Sequence, residues 1–268
     1  MTAALHGVAL AWAIAAGLQL VLWLVSQRTG NAAIVDVGWA GSFSLVVAAL
    51  AATTDQPTAQ VIAPTVLVAA WSLRLAAYLV ARGAATGAEE GRYQELRRKW
   101  SPHAGRAFFV FFQAQAALTA ILSIGFVWAF VAPARGGTAG TVLLVLGVAA
   151  SAVGLVGETV ADAQLAAWKR DPSHRGQVCD VGLWSWSRHP NYFFEVLVWT
   201  GHALYASAFV HGSLAFAAPT ILLASIWWVT GIPATEAQAL RSKGEAYRRY
   251  QARTSAFIPW PPRRREVP

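Results

Sequence analysis

The sequence predicts an all-α integral membrane protein, a bundle of about seven transmembrane helices whose polar groups gather at its cytoplasmic end. Three observations carry this reading. Of the 268 residues, 56% are hydrophobic and only 13% are charged, about half the charged share of an average soluble domain. Apolar runs of about 20 residues, the length that crosses the hydrocarbon core of a bilayer, recur along most of the chain. The basic residues behind a net charge of +8 and a pI of about 10.2 sit between those runs.

The runs fall at 5–26, 33–53, 60–82, 107–131, 141–164, 190–208 and 213–234. The first begins without a basic leader and no small-residue cleavage site follows it, so it reads as a retained helix. Assigning every Lys and Arg to a loop puts 19 of 21 on one side, from Arg28 through the clusters at 82–106, 169–188 and 241–265. Arg135 falls in an opposite loop and Arg74 inside a helix. Cytoplasmic loops carry the excess of positive charge, so the N-terminus is expected outside and the C-terminus in the cytoplasm. This asymmetry accounts for the high pI and argues against a nucleic-acid partner. We read 1–268 as a single membrane domain, with helices one to four in 1–140, the later helices in 141–260 and a basic tail at 261–268. The lone Cys179 permits no intrachain disulfide.

An ionisable group inside a spanning helix costs a few kcal/mol, so each needs a partner, a watery cavity or a function. Asp36 lies in the second helix. In the third, Arg74, Tyr78 and Arg82 follow at spacings of four and share one stripe. The fifth carries Glu158, Asp162 and, seven residues on, Lys169. The sixth opens Arg188-His189-Pro190-Asn191-Tyr192, with Glu195 one turn past Asn191, and the last ends near Glu236. With the expected topology these groups fall toward the cytoplasmic ends of their helices, where they can line one cavity open to the cytosol. The plainer alternative is a set of buried salt bridges that only fix packing, Arg74 with Asp36 or Glu158 and Asp162 with Lys169. Packing is already served by the small residues Gly147, Ala150, Gly154 and Gly157.

Pro190 suits the first position of a helix, and the N–H groups there, with the positive helix end, can hold a phosphate. Equally, Trp184 and Trp186 read as anchors at headgroup level. The stretch from Glu236 through Tyr247, Tyr250 and Arg253 to Trp260 is amphipathic and basic. It reads either as a helix on the anionic leaflet or as a lid over the cavity. No G-x-G-x-x-G follows a strand, no P-loop occurs and the six histidines lack metal-ligand spacing, so no metal is expected.

The run G-L-W-S-W-S-R-H-P-N-Y-F-F-E from Gly182 to Glu195 resembles the C-terminal domain of the membrane steroid 5α-reductases, in particular the bacterial branch of that superfamily. The likeness extends over Asn31 to Trp39, Trp71 to Arg82, Arg92-Tyr93, Glu158 to Lys169 and Tyr247 to Trp260. It implies a multi-pass protein of the bacterial inner membrane in which NADPH enters a cytosol-facing cofactor cavity. From there a hydride passes to an electron-poor carbon–carbon double bond conjugated to a carbonyl, in a lipophilic, steroid- or isoprenoid-like substrate. Residues 1–140 would then form the substrate side and 141–260 the reductase-like region. Position by position, the resemblance puts Asn191 and Glu195 at the nicotinamide, Asp162 and Lys169 among the fifth-helix nucleotide contacts, and Arg74 and Tyr78 among the third-helix ones. Arg188, His189, Tyr192 and Tyr250 join the same cofactor set. The family's carbonyl-polarising glutamate and tyrosine match Asp36 and Trp71, the expected catalytic pair. An indole N–H donates a hydrogen bond but is no acid, so protonation falls on Asp36, another group or water.

Two other classes compete. The related isoprenylcysteine carboxyl methyltransferases, which use S-adenosylmethionine, share R-H-P-x-Y and a C-terminal E…Y…Y pattern. They tend to carry paired glutamates after the last helix, where this chain has only Glu236. A transporter or scaffold would favour internal repeats and polar groups at both faces; the two halves show no convincing repeat, and the outer side offers little beyond His211, Arg135 and Asp55. Substrate identity and oligomeric state stay open at this point.

Overall fold

The computed structural model describes residues 1–229 and 231–262. Of the basic tail expected at 261–268, the part from Arg263 on lies outside the described residues. Among the described residues the chain is helical, with no named strand and two isolated β-bridges. Six stretches are long and apolar enough to cross a membrane. Large apolar side chains such as Leu5, Val66, Val145 and Val156, the last 62% exposed, cover the outside of these helices, a surface that only hydrocarbon solvates without penalty. The chain is a multi-pass membrane protein.

Contacts divide it into two compact units, Met1–Val145 with His202–Ala218, and Leu146–Gly201 with the chain from Pro219 on. In the first unit α1 (Thr2–Thr29) packs on α2 (Ile34–Thr53) and on α5 (Ala104–Ser123) through Ala4, Gly7, Ala11 and Ala15, a buried small-residue stripe at spacings of three and four that lets backbones approach. Deeper polar contacts fix the register. Gln19 Nε2 donates to Val35 O at 3.1 Å and Trp23 Nε1 to Gly105 O at 3.0 Å. Gly30, at φ 72°, ends α1 by donating to Ser26 O, a conformation that favours glycine. The third helix, α3 (Thr58–Ala81), is held to α2 by Ser44 Oγ donating to Ser72 Oγ at 2.7 Å. The loop after it leads into the short surface helix α4 (Gly91–Lys99).

The fourth apolar window, expected at 107–131, is broken. Ser123 turns its hydroxyl back onto Thr119 O, and α5 stops there before a turn and the four-residue α6 (Trp128–Val131). The fifth helix, α7 (Gly137–Arg170), runs to 34 residues, well past the expected 141–164, because its charged last turns need no lipid.

In the second unit α7 continues from Leu146, followed by α8 (Leu183–Trp186) and α9 (Pro190–Ala206). At 17 residues, α9 is the one expected span that falls short of the six. A Cβ on Gly154 would sit 2.7 Å from Val198 N and 2.8 Å from Phe194 O, so bare glycine sets how closely α7 and α9 meet. The expected helix 213–234 is not continuous either. It is built from α10 (Ala217–Ala224), a π turn at Ser225–Val229 and α11 (Ile232–Lys243), with Gly231 pressed against Ile226 O. Gly244, at φ 52°, separates α11 from α12 (Glu245–Arg253). The expected amphipathic C-terminal helix therefore ends at Arg253, and residues 254–262 are not helical. This stretch forms a parallel bridge between Ser255 and Ser187, with Trp260 N donating to Trp186 O at 3.0 Å.

Candidate functional site

The expected site residues divide between the units. Asp36, Trp71, Arg74 and Tyr78 belong to the first; Asp162, Lys169, Arg188, His189, Asn191, Tyr192, Glu195 and Tyr250 belong to the second.

In the first unit Asp36 sits in the opening turn of α2, where the positive helix end favours a carboxylate. Its partner is Arg92 on α4 and not Arg74, which removes one of the salt bridges considered from sequence. Arg92 also meets Glu90 Oε2 at 3.3 Å and lies 4.6 Å over the Tyr93 ring. The Tyr93 phenol is nearly enclosed, near the Asp36 carboxylate. Burial first, and that negative charge second, push its pKa above the ordinary value. One turn along α2, the Trp39 indole N–H is buried and has no acceptor among the described residues. Trp71, expected to partner Asp36, is fully buried in an edge-to-face cluster with Trp39 and Phe43.

A neighbouring network pins the loop that carries these groups. Asn31 Nδ2 donates to Ala84 O and Gly87 O. Glu89 accepts from Ala32 N at 2.8 Å and from both Nε and Nη2 of Arg97.

In the second unit the R-H-P segment is bound up with the C-terminal chain. Arg188 Nε donates to Glu236 Oε1 at 2.6 Å, and its Nη1 donates to Gln251 O at 3.1 Å and Thr254 O at 2.7 Å. Gln251 Nε2 donates to Glu236 Oε2 at 2.7 Å, and His189 Nε2 lies 3.3 Å from Glu236 Oε1. The backbone N–H groups of Arg188 and His189 are donated to Ser255 O and Ser187 Oγ. These two precede Pro190, the first residue of α9, and are closed to a ligand. Tyr250 Oη donates to Trp184 O at 2.5 Å and fastens α12 onto the same segment; burial raises its pKa. Further along α9, Asn191 Nδ2 approaches Asp162 Oδ1 of α7 at 3.5 Å, and Glu195 lies one turn on. Asp162 and Glu158 are 4% and 3% exposed, two carboxyl groups enclosed in protein one turn apart on α7.

The model of the family described as a protein of unknown function, DUF1295, matches residues 22–254. The chain belongs to this family. Both the Asp36 cluster and the Asp162–Asn191 contact are inside the shared region. No curated protein and no solved structure matches the chain. Among the described residues, no group of three or more His, Cys, Asp or Glu side chains is placed to hold a metal.

Two residues of the Asp36 cluster carry little signal in the sequence. Tyr93 is visible there only as half of the Arg92-Tyr93 pair, and no spacing rule ties it to a carboxylate 57 positions earlier. Trp39 shares a face with Asp36 at i, i+3, a signal that the apolar run around it obscures.

Proposed function

We propose that this DUF1295 protein is an NADPH-dependent reductase of a carbon–carbon double bond conjugated to a carbonyl in a lipophilic, steroid- or isoprenoid-like substrate. Its resemblance to the steroid 5α-reductases motivates the reading. The observation that carries it is the meeting of Asp162 and Asn191, 29 positions apart, beside Glu195. Enclosed carboxyl and amide groups offer both acceptors and donors, the set that a nicotinamide carboxamide requires. The Asn191 contact of 3.5 Å is at the long limit of a hydrogen bond, leaving the amide able to turn toward a ligand. Asp162, Asn191, Glu195 and Lys169 would hold the cofactor. Arg188 fits that set less well, because three of its hydrogen bonds are made within the protein. Bound NADPH would supply the hydride.

At the carbonyl, Asp36 would act with the nearby Tyr93, in the role first matched to Trp71. The phenol stays protonated at neutral pH and is able to donate as negative charge develops on the oxygen. The buried Trp39 N–H is a second candidate donor. The reading includes a bacterial inner membrane with the N-terminus outside and the C-terminus in the cytoplasm, supported by the distribution of Lys and Arg.

Titrating the purified protein with NADPH and, separately, with S-adenosylmethionine tests the class. Saturable NADPH binding that is weakened in Asn191→Ala is expected. Binding of S-adenosylmethionine alone would make it a methyltransferase, and binding of neither would end the enzymatic reading.

A further inference from the structure

In the first unit the last turns of α1 meet the first turn of α5. Trp23 Nε1 donates to Gly105 O at 3.0 Å, and the Trp23 ring stands edge-on to Phe109 at 5.2 Å. A Cβ on Gly105 would lie 3.0 Å from Gln27 Oε1. Two turns deeper, Gln113 Nε2 donates to Ala16 O at 3.4 Å, so the helices run antiparallel and the end of α1 lies against the start of α5. Arg28 follows Gln27 and Arg106 follows Gly105, which brings two guanidiniums to one corner of the unit. Both residues are exposed, and among the described residues neither meets a carboxylate.

Helical spacing sets which way these arginines face. On α1, Leu24 and Val25 stand four and three residues before Arg28; on α5, Phe109 and Val110 stand three and four after Arg106. Residues so spaced share a face. All four apolar side chains are exposed, Val110 by 65%, on helices long and apolar enough to cross a membrane, so that face looks into hydrocarbon. With 28 residues, α1 rises about 42 Å against a hydrocarbon core of ~30 Å, and its last turn reaches headgroup level when the helix spans the bilayer. Each arginine therefore stands where a lipid-facing surface passes from hydrocarbon to headgroups.

We propose that this corner binds an anionic phospholipid, its headgroup phosphate between Arg28 and Arg106 and its acyl chains along Leu24, Val25, Phe109 and Val110. Guanidinium forks meet phosphate oxygens two at a time, and basic clusters beside spanning helices hold anionic headgroups. A zwitterionic headgroup carries its own cation, which competes with the arginines for the phosphate, so net negative charge decides the occupant. The site stands independently of the reductase reading, in which neither arginine has a part. It holds for either orientation of the chain, since either leaflet can supply such a lipid.

The measurement is native mass spectrometry of the full chain in detergent, titrated with phosphatidylglycerol and, separately, with phosphatidylcholine of the same chains. The wild type is expected to take its first phosphatidylglycerol more tightly than its first phosphatidylcholine. Arg28→Gln with Arg106→Gln should weaken the affinity for phosphatidylglycerol about tenfold or more. Arg248→Gln with Arg249→Gln removes the same charge from exposed positions on α12 and should keep the wild-type affinity, which separates a site from a general attraction of a basic protein for anionic lipid. A weakening confined to the Arg28 and Arg106 pair supports the proposal. Equal affinity for the two lipids in the wild type, undiminished phosphatidylglycerol binding in that pair, or the same weakening in the α12 pair overturns it. Should the Arg28 and Arg106 pair lower the unfolding midpoint without lipid, Arg106→Gln alone takes its place: a weakened affinity supports the site and an undiminished one overturns it.

Discussion

Arg188 and Glu236, 48 positions apart, form a 2.6 Å ion pair with only 12% and 15% of their side chains exposed. The same guanidinium takes two carbonyls of the C-terminal chain. One arginine thereby ties the start of α9 to α11 and to the end of α12. This pair makes the R-H-P segment part of the framework of the second unit, whatever else it touches.

Arg188→Ala should therefore lower stability itself. Removing one member of an enclosed pair leaves the other charge uncompensated and costs about 3 to 5 kcal/mol. Arg188→Lys should recover little, since an ammonium cannot reproduce the planar fork that reaches Glu236, Gln251 and Thr254 together. Unfolding of the purified protein in a denaturing detergent checks this. Wild-type stability in Arg188→Ala would mean that the pair contributes nothing to the fold.

A second prediction concerns pH. Burial alone would raise the Glu89 pKa, but the bonds from Arg97 and Ala32 N–H outweigh it and hold the carboxyl below its ordinary value of 4.5. A pKa lowered on folding gives stability that is whole above the unfolded value and is lost as pH falls through the folded one. The wild type should thus lose this contribution on acidification below about pH 4.5. Glu89→Gln should be less stable at pH 7 by about 1.5 to 3 kcal/mol, the scale of charge-assisted hydrogen bonds. The difference between the two proteins should shrink in acid. Unfolding midpoints at several pH values decide it; a difference that stays constant would place the effect elsewhere.

The third prediction is steric. Gly154→Ala puts a methyl group 2.7 Å from Val198 N, a contact that only a shift of backbone relieves. Overpacking of this kind costs about 1 to 3 kcal/mol, whereas Gly140→Ala, with open space around it, should stabilise or leave the protein unchanged. Equal stability of both variants would show that α7 and α9 do not meet as described.

How much of this was legible in the sequence follows from the range of each interaction. The spans of α1, α2, α3 and α7 were readable because lipid imposes one rule, apolar residues for about 20 positions. The small-residue face at Gly154 and Gly157 was readable for the same local reason. The breaks at Ser123 and at the π turn before Gly231 were hidden inside runs that stay apolar throughout, since hydropathy does not register where the helical ladder changes. The partners of Asp36 and Arg188 were out of reach. Spacing rules compare residues within a few turns of one helix, and Arg92 and Glu236 come from other elements.

The last prediction concerns Asp36 and Tyr93, and it rests on the proposed reductase activity. Asp36 holds Arg92 at the opening of α2, near the Tyr93 phenol. Two roles follow for the carboxylate. It acts at the substrate carbonyl with the phenol as donor, or it is a counter-ion that keeps α4 in place. Tyr93→Phe separates them, because it removes one hydroxyl and leaves the Asp36–Arg92 pair and the ring in its aromatic surroundings. If the phenol donates to the developing oxyanion, turnover of a conjugated enone should fall by about 10² to 10³. NADPH affinity should hold, since the cofactor is assigned to other residues. Asp36→Asn keeps an oxygen for the phenol and loses the charge that Arg92 meets, so it should retain part of the activity. Asp36→Leu removes both and should retain almost none. Adding Arg92→Leu to Asp36→Leu is the informative control. It removes the unpaired arginine, so it should recover stability without recovering turnover if the carboxylate is catalytic. Recovery of turnover together with stability, or wild-type rates in Tyr93→Phe, would make Asp36 a structural partner of Arg92. The buried Trp39 N–H would then be the remaining candidate donor on that face of α2.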